Sequence, residues 1–426
     1  MLACQLLFHL SVKYDTICSS AIDVNPRNSA ADFNGKQRSF NMKMMKIKLI
    51  ILFLAGLILV NLLPAQTVKT DTSTCKMIFH LLKQMKAGKP LTEIEPQLDT
   101  ILKSEAYVVM FKHYNRSWRP NHLPEDVFKR LILSLQFPEK YTKGENERAD
   151  QMLPFWQEYY GNLDMYERYM TELEKVDLQE LVDGAAENAR QWLPPEMKIP
   201  DFTLYVIPHG GSGGFVLDNA QGYDFFKLDR DKSGNLLPQF FAEIIAHECH
   251  HLGLEIPQPE FVKYTDTLAY FFLNIFVGEG TASKFINNLP GGAVPRIDKD
   301  RKNNHILEAF ISDTWESYTK EEQAIFDRMC RSFELVYTGK MGQEDVDKEM
   351  REYWVPGKTG RFYFLGCELF GAIYYGFGKE GCFEAMRDPR KMFDLYNKAI
   401  DKNKEVLGKC PRIPEGIVKM ALSIGP

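Results

Sequence analysis

The chain has no basic surplus: 52 Lys and Arg stand against 57 Asp and Glu, a formal net charge of −5. That balance argues against a nucleic-acid binder, whose surface needs excess positive charge for phosphates. Cysteine is scarce, eight in 426 residues, which is too sparse for a disulfide scaffold. No two of them form a C-x-x-C pair, so a cysteine-type zinc site has no support. Three further signatures are missing: a phosphate-binding P-loop, a dinucleotide-type glycine pattern with its acid, and a G-x-S-x-G nucleophile elbow. Hydrophobic residues at 45% and charged residues at 26% exclude a disordered or fibrous chain. The length exceeds the usual limit of one core, so a large unit with an extension, or two packed domains, is expected.

Long apolar runs are also rare. One stands out, Leu49 to Leu63, LIILFLAGLILVNLL. Lys43, Lys46 and Lys48 precede it, and Pro64-Ala65-Gln66 follow. A basic start, an apolar middle and a small residue at the exit are the parts of a secretory signal. The run is shorter than the ~20 residues that cross a bilayer comfortably. Cleavage near Ala65 and export to the periplasm, envelope or exterior are expected. Membrane attachment follows only if the segment is retained as an anchor. No Cys at the exit indicates a lipoprotein. Residues 1–41 show no sustained period and read as an over-extended start ahead of Met42, Met44 and Met45, with 42–66 as the signal peptide. Residues 1–66 carry seven basic and three acidic side chains, so the remainder carries −9. Cys75, Cys249, Cys330, Cys367, Cys382 and Cys410 remain after cleavage. In an oxidising compartment some are candidates to pair as late staples.

Past the signal, the pattern is helical. Ile78, Leu81, Leu82 and Met85 recur at helical spacing, as do Ile94, Leu98, Ile101 and Leu102. Pro124-Glu125-Asp126 opens another helix, with Val127, Leu131 and Leu135 along one face. Residues 151–193 continue in helices, with Trp156, Tyr159 and Tyr160 as core. Pro194, Pro195 and Pro200 break this texture. Three short strands are expected after them: Thr203–Ile207, Phe215–Leu217 and Tyr223–Leu228, the first two separated by the glycines at 210–214. From Pro238 the chain is helical again. The expected fold class is α+β and mostly α, with a helical part over 67–195 and a catalytic part over 196–426. Asp229, Asp231 and Ser233-Gly234 imitate a calcium loop, but its twelfth position is Phe240 instead of the required Glu. Local turns made by the aspartates are the better reading.

Three of the nine histidines fall within five residues, in Ala246-His247-Glu248-Cys249-His250-His251. This is an H-E-x-x-H match, with the apolar lead-in Phe240, Phe241, Ile244, Ile245. On a helix, residues i and i+4 share a face. His247 and His251 can therefore reach one Zn²⁺. Glu248 is placed to act as general base toward a water that zinc acidifies. His250 points about 100° away from His251 and reads as a second layer or surface group. Cys249 reads as a packed small hydrophobe.

Catalytic zinc needs a third protein ligand. The metzincin extension fails, because Leu254 and Pro257 stand where Gly and His are required. Glu279, in the apolar helix from about Glu260 to Asn288, is the first candidate. A bare carboxylate there is costly and needs a partner. Asp266 is the rival ligand, and a core salt bridge for Glu279 is the alternative without metal.

H-E-x-x-H followed by a helix bearing Gly278-Glu279-Gly280-Thr281-Ala282 resembles the gluzincin metallopeptidases. Within them it is most similar to an uncharacterised family of zinc-dependent peptidases. Tyr363-Phe364-Leu365-Gly366, Gly371, Phe377-Gly378, Asp388-Pro389 and Tyr396 match that family's C-terminal pattern, and the resemblance spans about Phe202 to Tyr396. It implies a zincin-like fold, zinc ligands His247, His251 and Glu279, and Glu248 as base. Two departures stand out. The 27 residues between His251 and Glu279 exceed the usual gap. Ser283 also stands where related enzymes have an Asp that orients a zinc histidine. The resemblance further implies an oxyanion donor from the C-terminal helices. Tyr363 is the first choice, with Tyr374, Tyr375 and His305 behind it. It also implies an edge strand that pairs with substrate backbone, either Gly213–Leu217 or Tyr223–Leu228. The expected activity is zinc-dependent hydrolysis of a peptide or protein substrate. The alternatives are an amidase on a non-protein substrate, or an inactive zincin used as a binding module.

Overall fold

A computed structural model describes residues 68–116, 121–231, 233–254, 259–301, 314–355 and 360–425. All of them belong to one unit of the chain, Gln66–Pro426. The signal-like run 49–63, the segment ahead of it and His305 lie outside the described residues.

The sheet has four strands, β1 (Val68–Asp71), β2 (Phe202–Ile207), β3 (Gly214–Leu217) and β4 (Ala220–Asp224), in the order β1-β2-β4-β3. β1 and β4 both run parallel to β2, whereas β3 pairs antiparallel with β4 through a two-residue turn at Asp218-Asn219. Asp218 has φ 51°, the left-handed conformation such tight hairpins require. Two sequence expectations are corrected. The expected three strands are four, because β1 is a four-residue strand too short to register as a pattern. The last strand is Ala220–Asp224 instead of Tyr223–Leu228, because the chain turns into a single 3₁₀ turn at Phe225–Lys227. The Asp224 carboxylate caps that turn by accepting the Phe226 N–H at 3.2 Å.

Among the described residues, seven α-helices lie between β1 and β2: α1 (Ser73–Lys86), α2 (Leu91–Leu102), α3 (Glu105–Tyr114), α4 (Glu125–Leu133), α5 (Glu147–Gly161), α6 (Leu163–Glu174) and α7 (Leu178–Arg190). Their buried residues are the expected stripes, Ile78, Leu81, Leu82 and Met85 on α1 and Ile94, Leu98, Ile101 and Leu102 on α2. Trp156 and Tyr159 are buried on α5, as expected of core. After the sheet come α8 (Pro238–Gly253) and α9 (Tyr264–Thr281), which continues through a π turn at Ala282–Ile286. Then follow α10 (Glu316–Lys320), α11 (Glu322–Tyr337), α12 (Gln343–Glu349), α13 (Arg361–Arg387), α14 (Met392–Lys402), α15 (Lys404–Leu407) and α16 (Glu415–Leu422). The described part is thus mostly helical with one small sheet.

Burial divides into two apolar cores. One joins the sheet, α1–α7 and the inner face of α8, with Phe241, Ile245 and Cys249 as the α8 contribution. The other joins α9 to the C-terminal helices, with Phe272, Phe276 and Val277 against Phe364, Leu365 and Leu369. The histidine motif therefore rides on one core, and Glu279 on the other. The six described cysteines are all buried free thiols, so the expected staples are not made among them. Asp231 accepts the N–H groups of Ser233 and Asn235 at 2.8 and 2.9 Å, the aspartate turn expected in place of a calcium loop.

Candidate metal centre

α8 opens with Pro238, whose missing N–H costs nothing at a helix start. Phe241, Ile245 and Cys249 recur every four residues and are buried. That stripe turns the adjacent face, His247 and His251, away from the first core and toward α9. Gly253 ends the helix against Leu193 and Ile199, where an added Cβ would lie 2.4 Å from Leu193 Cδ1.

His247, His251 and Glu279 bring one donor atom each to a common point. The two Nε2 atoms are 3.0 Å apart. Glu279 Oε2 is 3.4 Å from His247 Nε2 and 3.3 Å from His251 Nε2. Donors at 2.0–2.1 Å from a tetrahedral ion stand about 3.3 Å from one another. The triangle therefore has the size a zinc ion needs. The donor set also suits zinc, two imidazoles and one carboxylate. Glu279 Oε2 is buried with the two imidazole edges facing it, a setting in which a cation is favourable.

The electrostatics agree with that geometry. Burial would raise the Glu279 pKa, but the charges and N–H groups of His251 and His247 outweigh it and hold the carboxyl well below its usual range. Burial likewise opposes the His251 imidazolium, yet the Glu279 carboxylate lifts its pKa to about 9.

The rival ligand does not reach this point. Asp266 sits in the first turn of α9, thirteen residues before Glu279, which is ~20 Å along a helix. His250 is not a surface group, contrary to one sequence expectation. It is fully buried, and its Nε2 meets the Trp192 carbonyl at 3.3 Å. Burial, with the neighbouring imidazoles, pushes its pKa down to about 3, so it stays neutral. Cys249 is buried in the first core.

The histidine-orienting group is Asn287, which the sequence did not single out. Its Oδ1 lies 2.5 Å from His247 Nδ1. Accepting that N–H fixes the tautomer and frees Nε2 to face the metal. The π turn after Glu279 carries Asn287 back toward α8, and its N–H bonds to the Ala282 carbonyl at 3.1 Å. Arg301 secures the same junction, reaching Glu243 Oε1 at 3.1 Å and the Ile286 carbonyl at 2.6 Å. In the sequence Asn287 lies at the end of the apolar helix expected to run to about Asn288, and nothing there marks it as a partner of His247.

Tyr363 stands on α13, its ring 6.5 Å from that of His247 between centroids. Tyr374 packs instead on Trp192 and Phe285, and the Tyr375 hydroxyl donates to the Arg296 carbonyl at 3.4 Å. Glu248 lies beside the sheet: a Cβ on Gly214 would stand 3.0 Å from its Oε1. β3 is therefore the strand next to the motif, and it is the sheet edge. The alternative edge, Tyr223–Leu228, is not one, because β4 lies between β2 and β3.

Residues 98–405 match the model of one protein family, whose description reads "Putative zinc dependent peptidase (DUF5700)". No curated protein and no solved structure matches the chain. The match covers more than two thirds of the sequence and includes His247, Glu248, His251, Glu279 and Tyr363, and on that extent the chain belongs to this family.

Proposed function

We propose that this chain is an exported zinc metallopeptidase of the gluzincin kind, with a zincin-like catalytic part, acting on peptide or protein substrates. The observation that carries this reading is the His247–His251–Glu279 triangle, with sides of 3.0, 3.3 and 3.4 Å, beside a Glu that is not part of it. His247 Nε2, His251 Nε2 and Glu279 Oε2 would hold the ion. When bound, zinc supplies a Lewis acid that acidifies water and polarises a carbonyl.

The chain's own side chains do the rest. Glu248 takes a proton from the attacking water and returns it to the leaving amine. Tyr363 donates its hydroxyl to the oxyanion that develops on the scissile carbonyl. The free edge of β3 pairs with substrate backbone and sets the carbonyl over Glu248. Export rests on the basic and apolar segment 43–63 and its exit at Ala65.

The test is cleavage of a peptide library by the chain with and without chelator, together with metal analysis. About one zinc per chain is expected, with cleavage lost on chelation and restored by zinc. A Glu279→Ala variant should lose the metal. Stoichiometric zinc in that variant would remove Glu279 from the ligand set, and no metal-dependent cleavage of any peptide would overturn the peptidase reading.

A further inference from the structure

The register of β3 determines which of its backbone groups face outward. The Asp224 N–H donates to the Gly213 carbonyl at 2.9 Å, which makes Gly213 and Asp224 a closely bonded pair. Antiparallel bonding alternates from there. Phe215 and Leu217 bond inward to Gly222 and Ala220, whereas Gly214 and Val216, opposite Tyr223 and Gln221, turn their N–H and C=O to the free edge. Gly214 is the residue against Glu248. Val216 lies one strand repeat further on, about 6.8 Å away.

Arg116 occupies the Val216 end of that edge. Its Nη2 donates to the Val216 carbonyl at 2.7 Å. The residue stands just beyond α3, whose last residue is anchored to the same region: the Tyr114 hydroxyl accepts the Ser212 N–H at 2.9 Å. Arg116 is half-buried, and among the described residues no carboxylate forms an ion pair with it. Burial lowers its pKa, and the carboxylates whose charge acts on it are Asp218 and Glu248. A guanidinium has five N–H donors in a planar fork, and the Val216 bond engages one side of it. The remaining donors suit a carboxylate. The same cation repels a Lys or Arg side chain placed there.

We propose that Arg116 is a specificity residue of the cleft, reading a carboxylate of a peptide laid along β3 about two residues from the bond held over Glu248. This deepens the peptidase reading and rests on it. The Gly214 N–H and C=O and the Val216 N–H serve the substrate backbone. Arg116 takes the Val216 carbonyl and so ends the pairing. A peptide antiparallel to β3 brings the carboxylate from a residue upstream of the cut; a parallel one brings it from downstream, as a side chain or as the chain terminus.

Matched fluorogenic peptides decide this. They carry Glu, Gln or Lys at each position within three residues of the cut, and a free or amidated C terminus. Their kcat/KM is measured on the full chain supplied with zinc. Their binding to chelator-treated protein is measured by fluorescence anisotropy. A preference for Glu over Gln of roughly 10- to 100-fold at one position, or for the free terminus, is expected, mostly in KM. Arg116→Gln keeps a donor for Val216 but removes the charge, and should equalise the peptides. Arg116→Lys should retain part of the preference. Equal values across the wild-type series, or a preference that survives in Arg116→Gln, would overturn the proposal while leaving the peptidase reading intact. If no peptide is cleaved, anisotropy decides: a Glu preference lost in Arg116→Gln upholds the carboxylate site and sinks only the peptidase reading, and its absence sinks the Arg116 proposal.

Discussion

Gly280 and Gly366 meet backbone to backbone, so that a Cβ on Gly280 would stand 2.6 Å from Gly366 Cα. This crossing of α9 over α13 places Glu279, next to Gly280, and Tyr363, one turn before Gly366, on the same side of the cleft as the two histidines. The site depends on how closely the two helices approach. Gly280→Ala should cost roughly 1–3 kcal/mol by overpacking and weaken zinc binding. Gly278→Ala is the control: its Cβ would meet His251 Nδ1 at 3.8 Å, an ordinary contact. There the helix gains up to about 1 kcal/mol from alanine. Thermal unfolding of both variants checks the pair, and equal melting temperatures would sink the argument.

Asn287 would act on a bound metal through His247. Asn287→Ala removes the acceptor at 2.5 Å and should lower zinc affinity roughly 10- to 100-fold. Asn287→Asp keeps an acceptor and should keep or raise the affinity. Competition against a chromogenic chelator measures both. Unchanged affinity in the alanine variant would show that another group holds the imidazole.

Glu248 is outside the ligand triangle. Glu248→Gln should therefore keep zinc at wild-type stoichiometry while turnover falls by at least 10²-fold, the range of a lost general base. Turnover near the wild-type rate would remove Glu248 from that role.

Zinc should join the two cores. Its ligands come from α8 on one and α9 on the other, so binding stabilises the folded state by mass action, about 2.7 kcal/mol at a hundredfold excess over Kd. Calorimetry with and without chelator should show the melting temperature fall on metal removal. Glu279→Ala should show no such difference.

Lys284 carries a pH signature. It is fully buried in the π turn, its Nζ donating to the carbonyls of Leu289 and Pro295 at 3.1 and 2.8 Å. Burial pushes its pKa down to about 8, below the unfolded value of about 10.4. Between those values the unfolded chain binds the extra proton, so stability rises with pH across that window. Below pH 8 the cost is fully present. Relative to Lys284→Met, the wild type should gain roughly 3 kcal/mol between pH 8 and 10.4. Denaturant melts at several pH values test this, and a flat difference would show that the folded pKa is not depressed.

Much of the described fold was legible because its signals are local. The stripes of α1 and α2 were read from apolar spacing and are buried; of the aromatic residues read as core on α5, Trp156 and Tyr159 are buried and Tyr160 is half-buried. β1 was missed because four residues, VKTD, carry no period. They become a strand only by pairing with β2, 131 or more residues away. The end of β4 was misplaced for a related reason: Phe225–Lys227 is as apolar as a strand, but the Asp224 carboxylate bends the chain there.

The site divides in the same way. His247 and His251 share a face through the helix repeat alone, and Glu248 follows from its place between them. That much the linear sequence determined, since residues four apart on a helix meet whatever surrounds them. The apolar surroundings of Glu279 and the pattern Gly278-Glu279-Gly280-Thr281-Ala282 favoured it over Asp266, but neither fixes which acid reaches the histidines. The two acids sit on one helix, and only the packing of α9 against α8 and α13 brings the last turn, and not the first, to the histidines. Asn287 and Arg116 were decided the same way, by a π turn that doubles back and by a helix end that reaches a strand edge. Such long-range meetings depend on which surfaces pack together, and that is a property of the folded whole.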